Sequence, residues 1–170
     1  DRNTGSKPVG HQQWHALLQK HVTPRGLVDY KGFQQDSAAL GSYLQQLSEH
    51  YPNHTHWSRQ EQLAYWINAY NAFTVEIVLR HYPVESIKDI SSTISIPFVS
   101  SVWDIKFIEI EGKSLSLNDI EHGILRKKFN EPRIHFAINC ASVSCPELAS
   151  TAYTAENLEQ LLQQQSTAFL

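Results

Sequence analysis

The stretch from Glu61 to Tyr82, EQLAYWINAYNAFTVEIVLRHY, is apolar nearly all the way round a helix. A helix without a polar face belongs in the middle of a domain, so the rest of the chain has to be arranged around it. Its ends are marked. Ser58 and Glu61 form the S-x-x-E capping box, and Pro83, which lacks an N–H, ends the helix. Ala64, Asn68, Asn71, Val75 and Val78 share one stripe of it. A buried amide without partners costs about 1–3 kcal/mol, so Asn68 and Asn71 need specific ones. Either they tie neighbouring loops to the helix, or one of them faces a ligand cavity.

Around this helix the chain has material for one core, since 170 residues suit a single domain. Asp1 to Gly10 is polar, with Gly5, Pro8 and Gly10, and reads as a flexible leader; residues 11–170 read as one domain. A first helix is expected over His11 to Lys20, with Trp14, Leu17, Leu18 and His21 on one face. Val22 to Gly32 is a connection, and Asp36 is placed to cap a helix carrying Leu40, Tyr43, Leu44 and Leu47. After Ile90 the texture changes. Trp103, Ile105 and Phe107 alternate with Asp104 and Lys106, as in a half-buried strand continuing through Ile110. Glu111-Gly112-Lys113 is a turn, and Leu115 and Leu117 start a return strand. Ser116 and Asp119 form an S-x-x-D variant of the capping box for a helix reaching about Lys128. Arg133 to Asn139 reads as another strand, and Thr154 as the cap of a last helix ending at Phe169. Helices first, strands after, then a mixture give an α+β domain: a central buried helix packed on a small antiparallel sheet.

Composition removes several function classes. Lys and Arg number 14 against 17 Asp and Glu, a net charge of −3. There is no basic surface for sequence-independent nucleic-acid binding, and no apolar run approaches the length of a membrane span. G-x-S-x-G, phosphate-loop and dinucleotide motifs are all missing, and no cofactor is called for. His11 and His15 stand four apart, and His50, His54 and His56 share a loop, but no carboxylate completes a ligand set, so no metal site is expected.

The remaining candidates cluster in two segments. In SLNDIEHGILRKK, Leu117, Ile120, Ile124 and Leu125 form the apolar face, Glu121 lies within it and His122 beside it. A buried carboxylate needs a cation, and Arg126 and Arg133 are the candidates. Gly123 in mid-helix costs about 1 kcal/mol and suggests another backbone packed closely on it. In PRIHFAINCASVSCPEL, a strand over Arg133–Asn139 would put Arg133, His135, Ala137 and Asn139 on one side, with small Ala137 leaving room for a guest. Cys140 and Cys145 bracket the loop that follows. Cys145 precedes Pro146 and Glu147, the pattern of a helix N-terminus, where a thiol becomes an activated nucleophile. In an oxidising compartment the same pair closes a small disulfide. Both readings stand on the residues alone.

YWINAYNAF, LNDIEHGILR and PRIHFAINCASVSCPEL, in that order, resemble the family called domain of unknown function 547, from roughly Trp14 onward. The residues matching its pattern are Trp66, Asn68, Tyr70, Asn71, Glu121, His122, Arg126, Arg133, His135, Cys140 and Cys145. The resemblance implies an exported bacterial protein, periplasmic or secreted. It also implies a further aromatic-rich segment after the last helix, which this sequence lacks. By analogy of architecture it suggests a papain- or transglutaminase-like arrangement. In that arrangement Cys145 attacks a carbonyl, His135 takes its proton and Asn139 orients His135. The leading expectation is therefore a cysteine-dependent hydrolase or acyl transferase on a peptide-like substrate. The alternatives are a non-catalytic module binding a peptide or a small thiol such as glutathione, and an interaction domain, closed by a Cys140–Cys145 disulfide, that binds a protein partner.

Overall fold

The structure is a computed structural model that describes residues 5–81, 101–139 and 147–169. Pro83, the start of the expected texture change, and both cysteines lie outside the described residues.

The domain is α+β and is built around the helix that the sequence singled out. That helix, α4 (Arg59–Arg80), follows α1 (Gln12–His21), α2 (Tyr30–Gln35) and α3 (Ser37–Ser48). Its capping box forms in full: the Ser58 Oγ accepts from Glu61 N at 3.0 Å, and the Glu61 carboxylate accepts from Ser58 N at 2.8 Å. Every residue of α4 from Leu63 to Val75 is buried. Helices α2 and α3 pack against it, α1 packs on α2 and α3, and Trp14, Leu17, Leu18 and His21 of α1 face the core as their spacing predicts. Trp14 stacks on Tyr43 of α3, with ring centroids 5.9 Å apart.

Helix α2 falls inside the expected connection. Asp29 starts it by accepting the Gly32 N–H at 3.0 Å. Asp36 stands at the start of α3 as expected, but its carboxylate makes no cap bond. It is taken by Lys20 Nζ at 2.9 Å and His21 Nε2 at 2.6 Å, which together hold its carboxyl below the usual range. Residues 6–10, read as part of the leader, are tied to the domain. Ser6 is buried, and its carbonyl accepts from Asn53 Nδ2 at 3.0 Å and Trp57 Nε1 at 2.9 Å.

The sheet is a two-stranded antiparallel hairpin, β1 (Ile108–Ile110) with β2 (Lys113–Leu115), registering Ile108 with Leu115. Glu111 and Gly112 turn it with φ of 48° and 77°, the left-handed pair that a tight hairpin needs. The Glu111 N–H is bonded to the Ser48 carbonyl at 2.7 Å, which docks the hairpin on the end of α3. The strand does not reach back to Trp103. Asp104 binds Ser101 Oγ and Asn118 Nδ2 at 3.1 and 2.6 Å, and Val102–Asp104 closes into a 3-10 turn. This local bonding outcompetes the period-2 pattern. Leu117 likewise belongs to the following helix and not to a return strand.

Ser116 and Asp119 exchange side-chain bonds as expected, at 2.8 and 3.0 Å. The helix they start is a π-helix over Asp119–Leu125, running directly into α5 (Arg126–Lys128). Leu117, Ile120, Ile124 and Leu125 are its buried face. Gly123 is exposed, and a Cβ there would meet nothing within 4 Å, so no backbone packs on it and that expectation is corrected.

The strand expected over Arg133–Asn139 is a short helix instead, α6 (Ile134–Ala137). Pro132 opens it, and the Glu131 carboxylate turns back to accept the Arg133 N–H at 3.0 Å. The buried residues are Ile134, Ala137 and Ile138, a helical stripe that a short window confuses with alternation. Helix α7 (Leu158–Phe169) follows a reciprocal exchange between Thr154 and Asn157 and buries Leu158, Leu161 and Leu162. Among the described residues no helix is long and apolar enough to cross a membrane.

Candidate functional site

The two amides of α4 bind backbone. Asn68 Nδ2 donates to the Tyr153 carbonyl at 2.7 Å, and its Oδ1 accepts the Tyr153 N–H at 3.0 Å. One turn on, Asn71 Nδ2 donates to the Ala137 carbonyl at 3.0 Å, and its Oδ1 accepts the Asn139 N–H at 2.8 Å. The loop-tying reading is the one the structure bears out for both. Asn71 thereby fixes the chain immediately before Cys140.

The second focus is a cluster on the π-helix. Glu121 accepts from Arg126 Nε at 3.0 Å and lies 3.0 Å from Arg126 Nη2. Tyr70 of α4 donates its hydroxyl to the other carboxylate oxygen, Oε1, at 3.5 Å, and His122 Nε2 stands 3.8 Å from Oε2, the oxygen that faces Arg126. In an α-helix, residues five apart point in different directions. The wider π turn brings Glu121 and Arg126 onto one side, and π turns recur at functional sites. Arg126 Nη2 also faces Nδ1 of His135 at 3.4 Å. Elements α4, the π-helix, α5 and α6 thus converge on one carboxylate–guanidinium–imidazole chain.

Its electrostatics follow from burial and chemistry. Burial, reinforced by the Glu121 charge, pushes the Tyr70 hydroxyl well above its ordinary range, while the Trp103 indole hydrogen-bonds to it. Tyr70 therefore remains a donor. A guanidinium has no acceptor, so His135 Nδ1 must accept from Arg126, and the proton of the neutral ring lies on Nε2. The Glu121 side chain is 17% exposed and that of Arg126 38%, so the chain opens to solvent at the arginine end.

The structure brings together Tyr70, Glu121, His122, Arg126 and His135 of the predicted set. Arg133 lies elsewhere in the bonding pattern. It grips Glu131 at 2.8 Å and Glu159 of α7 at 2.7 Å, clamping α6 to α7, and these two carboxylates hold its guanidinium all the more firmly charged. Trp66 is core, set edge-on against Tyr51 and Tyr65. The strand on which that site wall was expected is corrected: residues 134–137 form a helix, in which Ala137 is buried while His135 is exposed. Sequence reasoning missed the π turn, whose one visible trace is the five-residue spacing of Glu121 and Arg126. Among the described residues no three metal-ligating side chains gather.

A family model described as "Protein of unknown function, DUF547" matches residues 54–170. No curated protein and no solved structure matches the chain.

Proposed function

This chain belongs to the DUF547 family, and we propose that its domain is a cysteine-dependent hydrolase or acyl transferase acting on a peptide-like substrate outside the cytoplasm. The observation that carries this reading is the Glu121–Arg126–His135 chain, which stands just ahead of the segment holding Cys140 and Cys145. In the proposed step the Cys145 thiol gives up its proton, and the sulfur attacks a substrate carbonyl carbon. A C–S bond forms, the C–N bond breaks, and the amine leaves with a proton. Water or a second amine then cleaves the thioester. His135 is the proton partner. With the ring's own proton on Nε2, the thiol proton goes to Nδ1, so the Arg126 contact opens as the thiolate forms. Asn139, with its backbone N–H held by Asn71, steadies the chain beside the histidine. The extracytoplasmic location rests on the resemblance of the three motifs to exported family members.

A second reading draws on the same contact. While Arg126 donates to Nδ1, a guanidinium and an Nε2–H present donors only, which suits a carboxylate. This favours a non-catalytic module for a peptide or for a small thiol such as glutathione, with no nucleic acid involved.

Intact mass of the non-reduced protein, before and after iodoacetamide at pH 6, separates the readings. Rapid labelling of one cysteine, slowed roughly tenfold or more in His135→Ala, supports the enzyme, because an alkylated thiol at that pH has a depressed pKa. An added thiol-sized mass removed by reductant supports the binding module. A mass lower by two hydrogen atoms with no labelling means a Cys140–Cys145 disulfide and overturns the nucleophile.

A further inference from the structure

A cavity of about 440 Å³ lies where the segment before α1 meets α4, and it shares no residue with the Glu121 cluster. Its volume is in the range of small-molecule sites. Its walls are fixed by bonds already made. The Ser6 carbonyl holds Trp57, the Ala152 N–H is bonded to His15 Nδ1 at 3.3 Å, and Asn157 Nδ2 donates to the Ala152 carbonyl at 2.9 Å. Part of the lining, from Pro8 to His15, lies before the family match, and the larger part, from Trp57 to Asn157, lies within it.

The charge of the lining is one-sided. Its ionisable groups are His11, His15, Glu61 and Glu156, with no lysine or arginine. His11 is half-buried, and burial pulls its pKa down to about 4, so it carries no charge at neutral pH. The Glu61 carboxylate is preset, because its Oε1 is already held by the Ser58 N–H. Val9, Trp57 and Ala64 supply apolar wall beside it. A fixed carboxylate, a second one at the rim and an apolar flank favour a cation with a short hydrocarbon body, and disfavour an anion.

We propose that this cavity is a binding site for a primary ammonium group on a short alkyl chain, held by Glu61 and Glu156. The group belongs either to a small free amine or to a lysine side chain of a peptide; both present the same chemistry.

The test titrates the intact protein with butylammonium chloride, butanol and sodium butyrate, following backbone amide shifts of Ala64, Ala152 and Ala155. Butylammonium is expected to give saturable shifts, with butanol roughly tenfold weaker and butyrate without effect. Glu61→Gln keeps the capping box, since glutamine serves there too, and Glu156→Gln changes an exposed side chain. Each variant is expected to weaken butylammonium binding roughly fivefold or more. A blocked lysine peptide binding more tightly than butylammonium identifies a peptide source, and the reverse order a free amine. Butanol or butyrate binding as well as butylammonium overturns the proposal. So does the absence of saturable shifts up to about 50 mM, or affinity unchanged in both variants.

Discussion

Asn71 on α4 closes a two-bond ring with the chain around Asn139, giving a hydrogen to the Ala137 carbonyl and taking one from the Asn139 N–H. A carboxamide carries the donor and acceptor of a peptide unit, so Asn71 acts as a strand partner would. The domain has only a two-stranded hairpin among its described residues, and the backbone groups of residues 137–139 and 153 need partners. Asn68 and Asn71 provide them from a helix. This accounts for two amides in a surface that packing alone would fill with apolar side chains.

Replacing Asn71 with leucine deletes both bonds, the one to the buried Ala137 carbonyl and the one from the Asn139 N–H. At about 1–3 kcal/mol for each such loss, the unfolding free energy should fall by roughly 3 kcal/mol. The loss should be local in its first effect. Exchange of the Asn139 amide should speed up more than that of Tyr153 in Asn71→Leu, with the order reversed in Asn68→Leu. Urea denaturation and amide hydrogen exchange measure the two. Equal effects on both amides would mean that the rings do not act separately.

Arg126 sets the state of His135 more than it stabilises the fold. The Glu121–Arg126 pair is open to solvent at its arginine end, and pairs of that kind contribute about 1 kcal/mol or less. Arg126→Ala should therefore lower the melting temperature only slightly. In the native protein the imidazole nitrogen shifts of His135 should report a proton on Nε2. In Arg126→Ala that preference should relax toward a mixture of tautomers. A native ring protonated on Nδ1 would contradict the 3.4 Å contact.

Two glycines make opposite predictions. Gly26 has φ of 79°, and an added Cβ would lie 2.3 Å from Glu147 Cβ. Gly26→Ala therefore meets both a left-handed backbone and a close neighbour, and should cost more than the roughly 1 kcal/mol of the backbone term alone. Gly123 is helical and exposed, with nothing within 4 Å of an added Cβ. Gly123→Ala should stabilise by about 0.5–1 kcal/mol, since alanine is the better helix residue. Chemical denaturation of both variants beside the parent gives the signs directly.

What the sequence disclosed and what it withheld divide along the length of the signals. The capping boxes at Ser58 and Ser116, the burial of α4 and the inward stripe of α1 depend on patterns several residues long with one physical solution. The stretch Arg133–Asn139 is too short for its period to be decisive, and Pro132 with the Glu131 carboxylate tips it into a helix. Asp104 breaks the expected strand by a side-chain contact to Asn118, which no strand template contains. At the candidate site, Glu121, Arg126 and His135 were each visible as residues, and Arg126 as one candidate partner for Glu121. Their alignment was not, because a π turn shifts the register by one residue and no propensity scale encodes it. Arg133 is, beside Arg126, a candidate cation for Glu121 on charge alone, but Glu131 and Glu159 satisfy it first.

The pH dependence of stability should carry the mark of His11. Its Nδ1 is bonded to the Tyr43 hydroxyl at 2.7 Å, and burial lowers its pKa from 6.5 to about 4. The folded state thus prefers the neutral ring. Above pH 6.5 the ring is neutral in both states, and its contribution is fully present. As pH falls from 6.5 toward 4, the unfolded chain takes up a proton that the folded one refuses, and stability drops. Below about 4 both forms are protonated and this slope ends. Over the window the loss is on the order of 3 kcal/mol. His11→Gln removes the titrating group, so its unfolding free energy should vary less between pH 7 and pH 4.5 than that of the parent. Urea denaturation at the two pH values measures the difference. An identical pH slope in parent and variant would show that another group drives the acid sensitivity.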